Sequence, residues 1–175
     1  VRACDLAPSW AGLRPAARAT ALRHPAAALE HARGELVRAM VHEAGKTVAE
    51  ADPEVSEAVD FARYYAERAD ELADGHDPLA VFRPGGVSLV APPWNFPVAI
   101  PIGSALAALA AGSPVVLKPA PQTPRCAAVA VDAVRRALVD AGADPGGLQV
   151  ARVPEDEGGR HLVTHPARAR VLLTG

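Results

Sequence analysis

Four short apolar runs alternate with longer helix-forming segments across the second half of the sequence. The runs are Val87–Ala91, Val115–Leu117, Leu148–Val150 and residues 171–173. Strands separated by crossovers of this length pair in parallel through right-handed connections. Ligands bind such sheets beyond the carboxyl ends of the strands. The sequence therefore predicts an α/β fold with a Rossmann-like parallel sheet, with its most unusual loops on one edge.

The N-terminal part is predicted to be mainly helical. Residues 14–44 carry apolar side chains at helical spacing and are predicted to form one or two helices. A break is expected near His24, because Pro25 lacks an amide donor. A further helix is predicted to begin at Asp52-Pro53-Glu54, since Asp suits the N-cap, Pro the first turn and Glu the positive end of the helix dipole.

This pattern divides the chain into a helical lead-in, residues 1–78, and an α/β region, residues 79–175. With 50% hydrophobic residues the chain can form a real core, and a net charge of −2 gives no support for a nucleic acid partner. Cys4 and Cys126 lie far apart and the histidines lack metal-ligand spacing, so we predict no metal site and a reducing, cytoplasmic location. Residues 98–117 are the most apolar stretch, but prolines and glycines interrupt it, and no membrane span is predicted.

Two local patterns resemble functional motifs but favour structural roles. Gly45-Lys46-Thr47 lacks the earlier glycine and the preceding strand of a phosphate-binding loop, so Gly45 is interpreted as a helix C-cap. Cys126 lies at the start of a predicted helix, where a thiol pKa can fall, but its neighbours are apolar. We interpret it as a buried structural cysteine.

The segment Pro93-Trp94-Asn95-Phe96-Pro97 allows two interpretations from its residues alone. Prolines on both sides stiffen a loop that presents an aromatic ring and a side-chain amide, and a rigid amide is a good donor to a developing oxyanion. Alternatively, both aromatic rings belong to the core and Asn95 makes a turn.

The same segment resembles the aldehyde dehydrogenase superfamily. The resemblance continues through Ala-Ala-Leu-Ala-Ala-Gly at 107–112, Val116-Leu117-Lys118-Pro119-Ala120, Gln122-Thr123-Pro124 and Leu173-Thr174-Gly175, with Glu43-Ala44-Gly45-Lys46-Thr47 near the start. Residues 54–65 and 159–166 are most similar to glutamate γ-semialdehyde (1-pyrroline-5-carboxylate) dehydrogenases, including the dehydrogenase half of bifunctional proline-utilisation proteins.

This resemblance implies roles for the matching positions. Asn95 would donate its amide to the carbonyl oxygen of an aldehyde substrate, and Lys118 would hydrogen-bond the adenosine ribose of NAD, with NADP as the alternative cofactor. The implied cofactor-binding residues are Pro93, Trp94, Lys118, Gly159, Thr174 and Gly175. Many relatives have an acidic residue where this chain has Pro121, so NAD preference must come from other groups.

The resemblance also implies an incomplete aldehyde dehydrogenase fold, in which residues 79–175 form an incomplete NAD(P)-binding region. The nucleophilic cysteine, the glutamate that activates water and most of the substrate pocket are expected beyond this chain, which alone should be inactive and should expose apolar surface. At full length a homo-oligomer is expected. Two alternatives remain at this point: a non-catalytic binding or assembly module, and another dehydrogenase family with a similar sheet.

Overall fold

The computed structural model describes residues 9–73, 82–154 and 156–174. Helices in the first part of the chain are α1 (Pro15–Leu22), α2 (His24–His31), α3 (Arg33–Ala44) and α4 (Val48–Ala73). The second part alternates β1 (Val87–Ala91), α5 (Ala99–Ala110), β2 (Val115–Leu117), α6 (Pro124–Asp140), β3 (Leu148–Val150), α7 (Glu157–Thr164) and β4 (Arg168–Leu173), with a short 3₁₀ turn, Pro145–Gly147, before β3. The predicted α/β fold is confirmed, whereas the boundary at 78/79 lies outside the described residues and stays a prediction.

The predicted helical stretch 14–44 forms three helices, where one or two were expected. Pro25 does mark a break, because it lies in the first turn of α2, where its missing amide costs no hydrogen bond. A second break, at Ala32, was not predicted; Gly34 lies just after it, in the first turn of α3. Gly45 ends α3 with φ 67°, in the left-handed region, which confirms its interpretation as a C-cap.

The predicted start of the next helix was wrong. Helix α4 begins at Val48, and Pro53 lies inside it. Thr47 and Glu50 form the real start: the Glu50 carboxylate accepts from the Thr47 amide at 2.9 Å, and the Thr47 hydroxyl accepts from the Glu50 amide at 3.3 Å. This reciprocal capping box satisfies free amides five residues before the predicted Asp52 cap.

All strands of the described sheet are parallel, in the order β3-β2-β1-β4. The chain moves from β1 through β2 to β3 and then returns to place β4 on the other side of β1. Strand order therefore reverses between β1 and β4, which is the topological switch point where ligands bind in open α/β sheets.

The two faces of the sheet are covered unequally. Val90, Leu117 and Leu148 lie in the main core with the helices α1 to α6, whereas Leu89 and Val116 lie in a small cluster with Leu162 of α7. Neighbouring residues of a strand point to opposite faces, so these clusters lie on opposite sides. Helices on both faces make the sheet doubly wound.

Helix α5 is held closely against the N-terminal helices. A Cβ on Gly103 would lie 2.6 Å from the Phe61 ring of α4, so only glycine allows this approach. At the other end of α5, the buried Arg18 guanidinium donates to the Ala110 carbonyl at 3.4 Å, where a cation meets the negative end of the helix dipole. Burial lowers the pKa of Arg18.

Candidate functional site at the carboxyl edge of the sheet

A cleft of about 420 Å³ opens at the switch point between β1 and β4, and we call it the switch-point cleft. The ends of these two strands form one side of it, and α7 forms the other. Residues lining the cleft include Ala91, Pro92, Lys118, Gly159, Leu173 and Thr174. Three residues that the sequence assigned to cofactor binding, Lys118, Gly159 and Thr174, are thus brought together from three separate segments.

The backbone fixes each of these residues in place. The Lys118 amide donates to the Val90 carbonyl at 2.8 Å, which ties the end of β2 to β1. The Thr174 amide approaches the Ala91 carbonyl at 3.4 Å. These hydrogen bonds place the Lys118 and Thr174 backbones on either side of the end of β1.

Gly159 lies in the first turn of α7. The Asp156 carboxylate caps this helix by accepting from the Gly158 amide at 3.3 Å. A Cβ on Gly159 would lie 3.3 Å from the Pro154 carbonyl oxygen and 4.0 Å from Cε of Lys118. Glycine therefore keeps space open beside the lysine side chain.

Residues 92–97, which we call the Asn95 loop, connect β1 to α5. Trp94 is 49% exposed and Phe96 is 44% exposed, so the interpretation that these rings belong to the core was wrong. Asn95 is also exposed, and Pro93 is partly buried. Pro92 lines the switch-point cleft, so the loop begins at the cleft's edge.

A carboxylate from α4 holds the end of the Asn95 loop. Glu54 Oε1 accepts from the amides of Val98 at 2.8 Å and Ala99 at 3.1 Å, which are free donors at the N-terminus of α5. Its other oxygen forms an ion pair with the Lys46 ammonium, which also lies 4.1 Å from the centre of the Phe96 ring. Glu54 therefore caps α5, and not its own helix as the sequence had indicated.

A second carboxylate holds the start of α6 in a similar way. Glu43 accepts from the amides of Arg125 and Cys126, each at 2.9 Å. Cys126 is fully buried, and burial, with the hydrogen bond to Glu43 and its charge as further causes, raises the pKa of the thiol to about 12. This supports the interpretation of Cys126 as structural, since the nucleophilic form of a thiol is the thiolate.

Sequence reasoning missed Glu43 and Glu54 as caps of α6 and α5, and Lys46 as the ion-pair partner of Glu54. The family resemblance had drawn attention to Glu43 and Lys46 but gave them no role. Of the predicted site residues, Gly175 lies outside the described part of the chain, and Pro93, Trp94 and Asn95 lie on the loop beside the switch-point cleft.

The described ranges contain neither a candidate metal site nor a candidate membrane span. No group of three or more His, Cys, Asp and Glu side chains there could hold a metal ion. No helix within those ranges combines the length and apolar character that a bilayer crossing requires. His161 and His165 lie edge to face with centroids 5.2 Å apart, and His165 Nδ1 accepts from the Ala167 amide at 3.1 Å, which is a turn-capping contact.

This doubly wound parallel sheet, with a cleft at its switch point, has the architecture that is common among nucleotide-binding α/β proteins. The model of the aldehyde dehydrogenase family matches residues 2–175, and the chain belongs to this family.

Its relatives include 1-pyrroline-5-carboxylate dehydrogenases and bifunctional PutA proteins. The chain is 37% identical to 1-pyrroline-5-carboxylate dehydrogenase 1 of Halalkalibacterium halodurans, over 95% of this chain and 33% of that protein. It is 39% identical to the bifunctional protein PutA of Escherichia coli, over 99% of this chain and 12% of that protein. The structure of proline utilization A from Corynebacterium freiburgense matches with a TM-score of 0.81 and 43% identity, over 96% of this chain and 17% of that one. The chain thus spans a third or less of these relatives.

Proposed function

We propose that the chain forms the cofactor-binding part of an aldehyde dehydrogenase that oxidises L-glutamate γ-semialdehyde to a carboxylate with NAD. Family membership and the names of the relatives support the reaction class. The single observation that carries the assignment of the site is the switch-point cleft, which gathers Lys118, Gly159 and Thr174 beside the Asn95 loop.

The residues of the cleft fit a dinucleotide. Lys118 offers an ammonium donor for ribose hydroxyls, and Gly159 leaves the space beside it that a Cβ would fill. Thr174, with Gly175 after it, follows β4 at the position where the family resemblance expects the pyrophosphate. When bound, NAD would accept a hydride from the substrate. NADP is the alternative cofactor, because Pro121 provides no carboxylate to reject a 2′-phosphate.

In this proposal Asn95 acts on the substrate. Its exposed side-chain amide would donate to the aldehyde oxygen as negative charge develops there, and the loop's prolines limit reorganisation at that moment. The nucleophile would come from a segment outside this chain, because Cys126 is buried and protonated. The chain by itself would therefore not turn over aldehyde.

Isothermal titration of the full-length protein with NAD tests the cofactor assignment. Lys118→Ala should raise the Kd about 10-fold, as expected for losing hydrogen bonds from a charged donor. Arg38→Ala, an exposed cation on α3, serves as the matched control and should leave the Kd unchanged. An unaltered Kd for Lys118→Ala would show that the ribose contact is misassigned, and oxidation of simple aldehydes without oxidation of glutamate semialdehyde would refute the proposed substrate.

A further inference from the structure

We propose that the Lys46–Glu54 pair positions Asn95 for its role in the reaction, which makes both residues positioning residues of the site. The inference rests on the proposed function of Asn95. It follows from one set of contacts: Glu54 binds the backbone directly after the Asn95 loop, while Lys46 binds Glu54 and the ring of Phe96, the residue next to Asn95.

The Asn95 loop is fixed at both ends. On one side, Ala91 belongs to β1 and pairs with Leu173 of β4. On the other side, the amides of Val98 and Ala99 donate to Glu54 Oε1 at 2.8 and 3.1 Å. Six residues lie between these points, three of them proline, so the position of Val98 strongly limits where Asn95 can lie.

Helix α5 has no cap of its own at this end. Its N-cap residue is Val98, whose side chain cannot accept a hydrogen bond. The cap comes from α4, which packs against α5 through the close approach of Phe61 and Gly103. Movement of the Glu54 carboxylate relative to α5 would therefore be transmitted to the end of the loop.

Lys46 provides the charge that keeps Glu54 in this place. The Glu54 side chain is 1% exposed and the Lys46 side chain 13% exposed, so little solvent screens either charge. The same ammonium lies 4.1 Å from the centre of the Phe96 ring, within the range of a cation–π interaction. One cation thus contacts both the cap and the side chain that follows Asn95.

A double-mutant cycle in the full-length enzyme tests this proposal through steady-state oxidation of glutamate semialdehyde. Asn95→Ala should lower kcat about 100- to 1,000-fold, as for loss of one oxyanion donor. Lys46→Met keeps the apolar stem and should lower kcat about 10-fold, because a small displacement of a catalytic group has a large effect on rate. In the Asn95→Ala background, Lys46→Met should change kcat by less than about twofold, because the positioned group is gone.

Two further variants separate positioning from general stability. Arg33→Met removes another cation that links α3 to α4, through Asp52 Oδ1 at 2.8 Å, without touching the loop, and should leave kcat unchanged. Lys46→Arg keeps the charge and should restore most of kcat. If Lys46→Met fails to fold, Phe96→Leu replaces it in the same cycle, since that exposed ring can be removed with the ion pair intact.

The outcomes distinguish the two proposals. A large loss with Asn95→Ala but none with Lys46→Met or Phe96→Leu overturns the positioning role and leaves the oxyanion role intact. Losses that multiply in the double variant also overturn positioning, because the pair would then act independently of Asn95. An unchanged kcat for Asn95→Ala overturns the proposed function of that residue, and the positioning role with it.

Discussion

Helices α5 and α6 both begin at the carboxyl edge of the sheet, and each receives its N-terminal cap from a distant carboxylate. Neither has a side-chain cap hydrogen bond from its own N-cap residue, Val98 or Thr123. Glu54 supplies the cap of α5 and Glu43 that of α6.

The two caps differ in their surroundings. Glu54 is 2% exposed and has an ammonium partner, whereas Glu43 is partly exposed and accepts from backbone amides and a thiol. Burying a carboxylate without a counter-charge is costly, while a partly hydrated carboxylate can be satisfied by amides alone. Of these two caps, the buried one has a charge partner, and it lies where the Asn95 loop ends.

The largest effect should come from removing the buried cap. Glu54→Ala leaves Lys46 without its partner and two amides of α5 without an acceptor, so the free energy of unfolding should fall by about 3–5 kcal/mol. Glu43→Ala removes a less buried cap and should lower it by about 1–2 kcal/mol. Urea unfolding of both variants measures the difference. Equal losses would show that burial and pairing do not distinguish the two caps.

How far the sequence predicts this arrangement depends on the distance over which each contact acts. All four strands were predicted from short apolar runs, because strand formation leaves a local pattern in the sequence. The start of β4 at Arg168 was missed, since residues 168–170 are polar or small. The start of α4 was misplaced because Asp52-Pro53-Glu54 is a strong local signal for a helix start, whereas the tertiary structure uses Thr47 and Glu50.

The two distant caps could not be predicted from local patterns. Glu54 lies 44 residues before Val98 and Glu43 lies 82 residues before Arg125. At α5 the sequence signal for such a cap is negative, because Val98 offers no side-chain acceptor; at α6 Thr123 offers a hydroxyl that makes no cap hydrogen bond in the structure. The Asn95 loop and Lys118 stood out because of motif resemblance, and their functional roles stay predictions.

An intermediate effect is expected at the α6 junction, where the pKa of the Cys126 thiol is raised to about 12. An unfolded cysteine has a pKa of about 8.5. Because the folded pKa is higher, the contribution of this thiol to stability is fully present below pH 8.5 or so and is lost as the pH rises towards 12. Native protein should therefore react with a disulfide reagent at least about 100-fold more slowly than unfolded protein at pH 8.

Glu43→Gln sharpens this prediction. The amide keeps the size of the side chain but removes its charge, so the thiol pKa should fall and the native reaction should become faster. Glu54→Gln is the matched control at the other junction and should have less effect, since the Glu54 charge is a smaller cause of the shift. Both are measured in a Cys4→Ser background to give a single reactive thiol. A fast reaction of the parent protein would contradict the burial of Cys126.

The smallest effect should come from a cap that is local and exposed, at the start of α4. Hydrogen bonds that the Thr47 amide and the Thr47 hydroxyl donate to its carboxylate lower the pKa of Glu50, and the amide is the larger cause. A lowered carboxyl pKa contributes stability above the unfolded value of about 4.3, and this contribution is lost as the pH falls through the folded pKa. Glu50→Gln should lower the unfolding midpoint slightly at pH 7, by less than Glu43→Ala, and the difference from the parent should shrink below pH 4 or so.

Glu35→Gln, which changes an exposed first-turn glutamate of α3, controls for the loss of one negative charge near a helix start. If both variants lower the midpoint equally at pH 7, the Glu50 effect comes from the helix dipole and not from the capping box, and the contrast between local and distant caps would then rest on Glu43 and Glu54 alone.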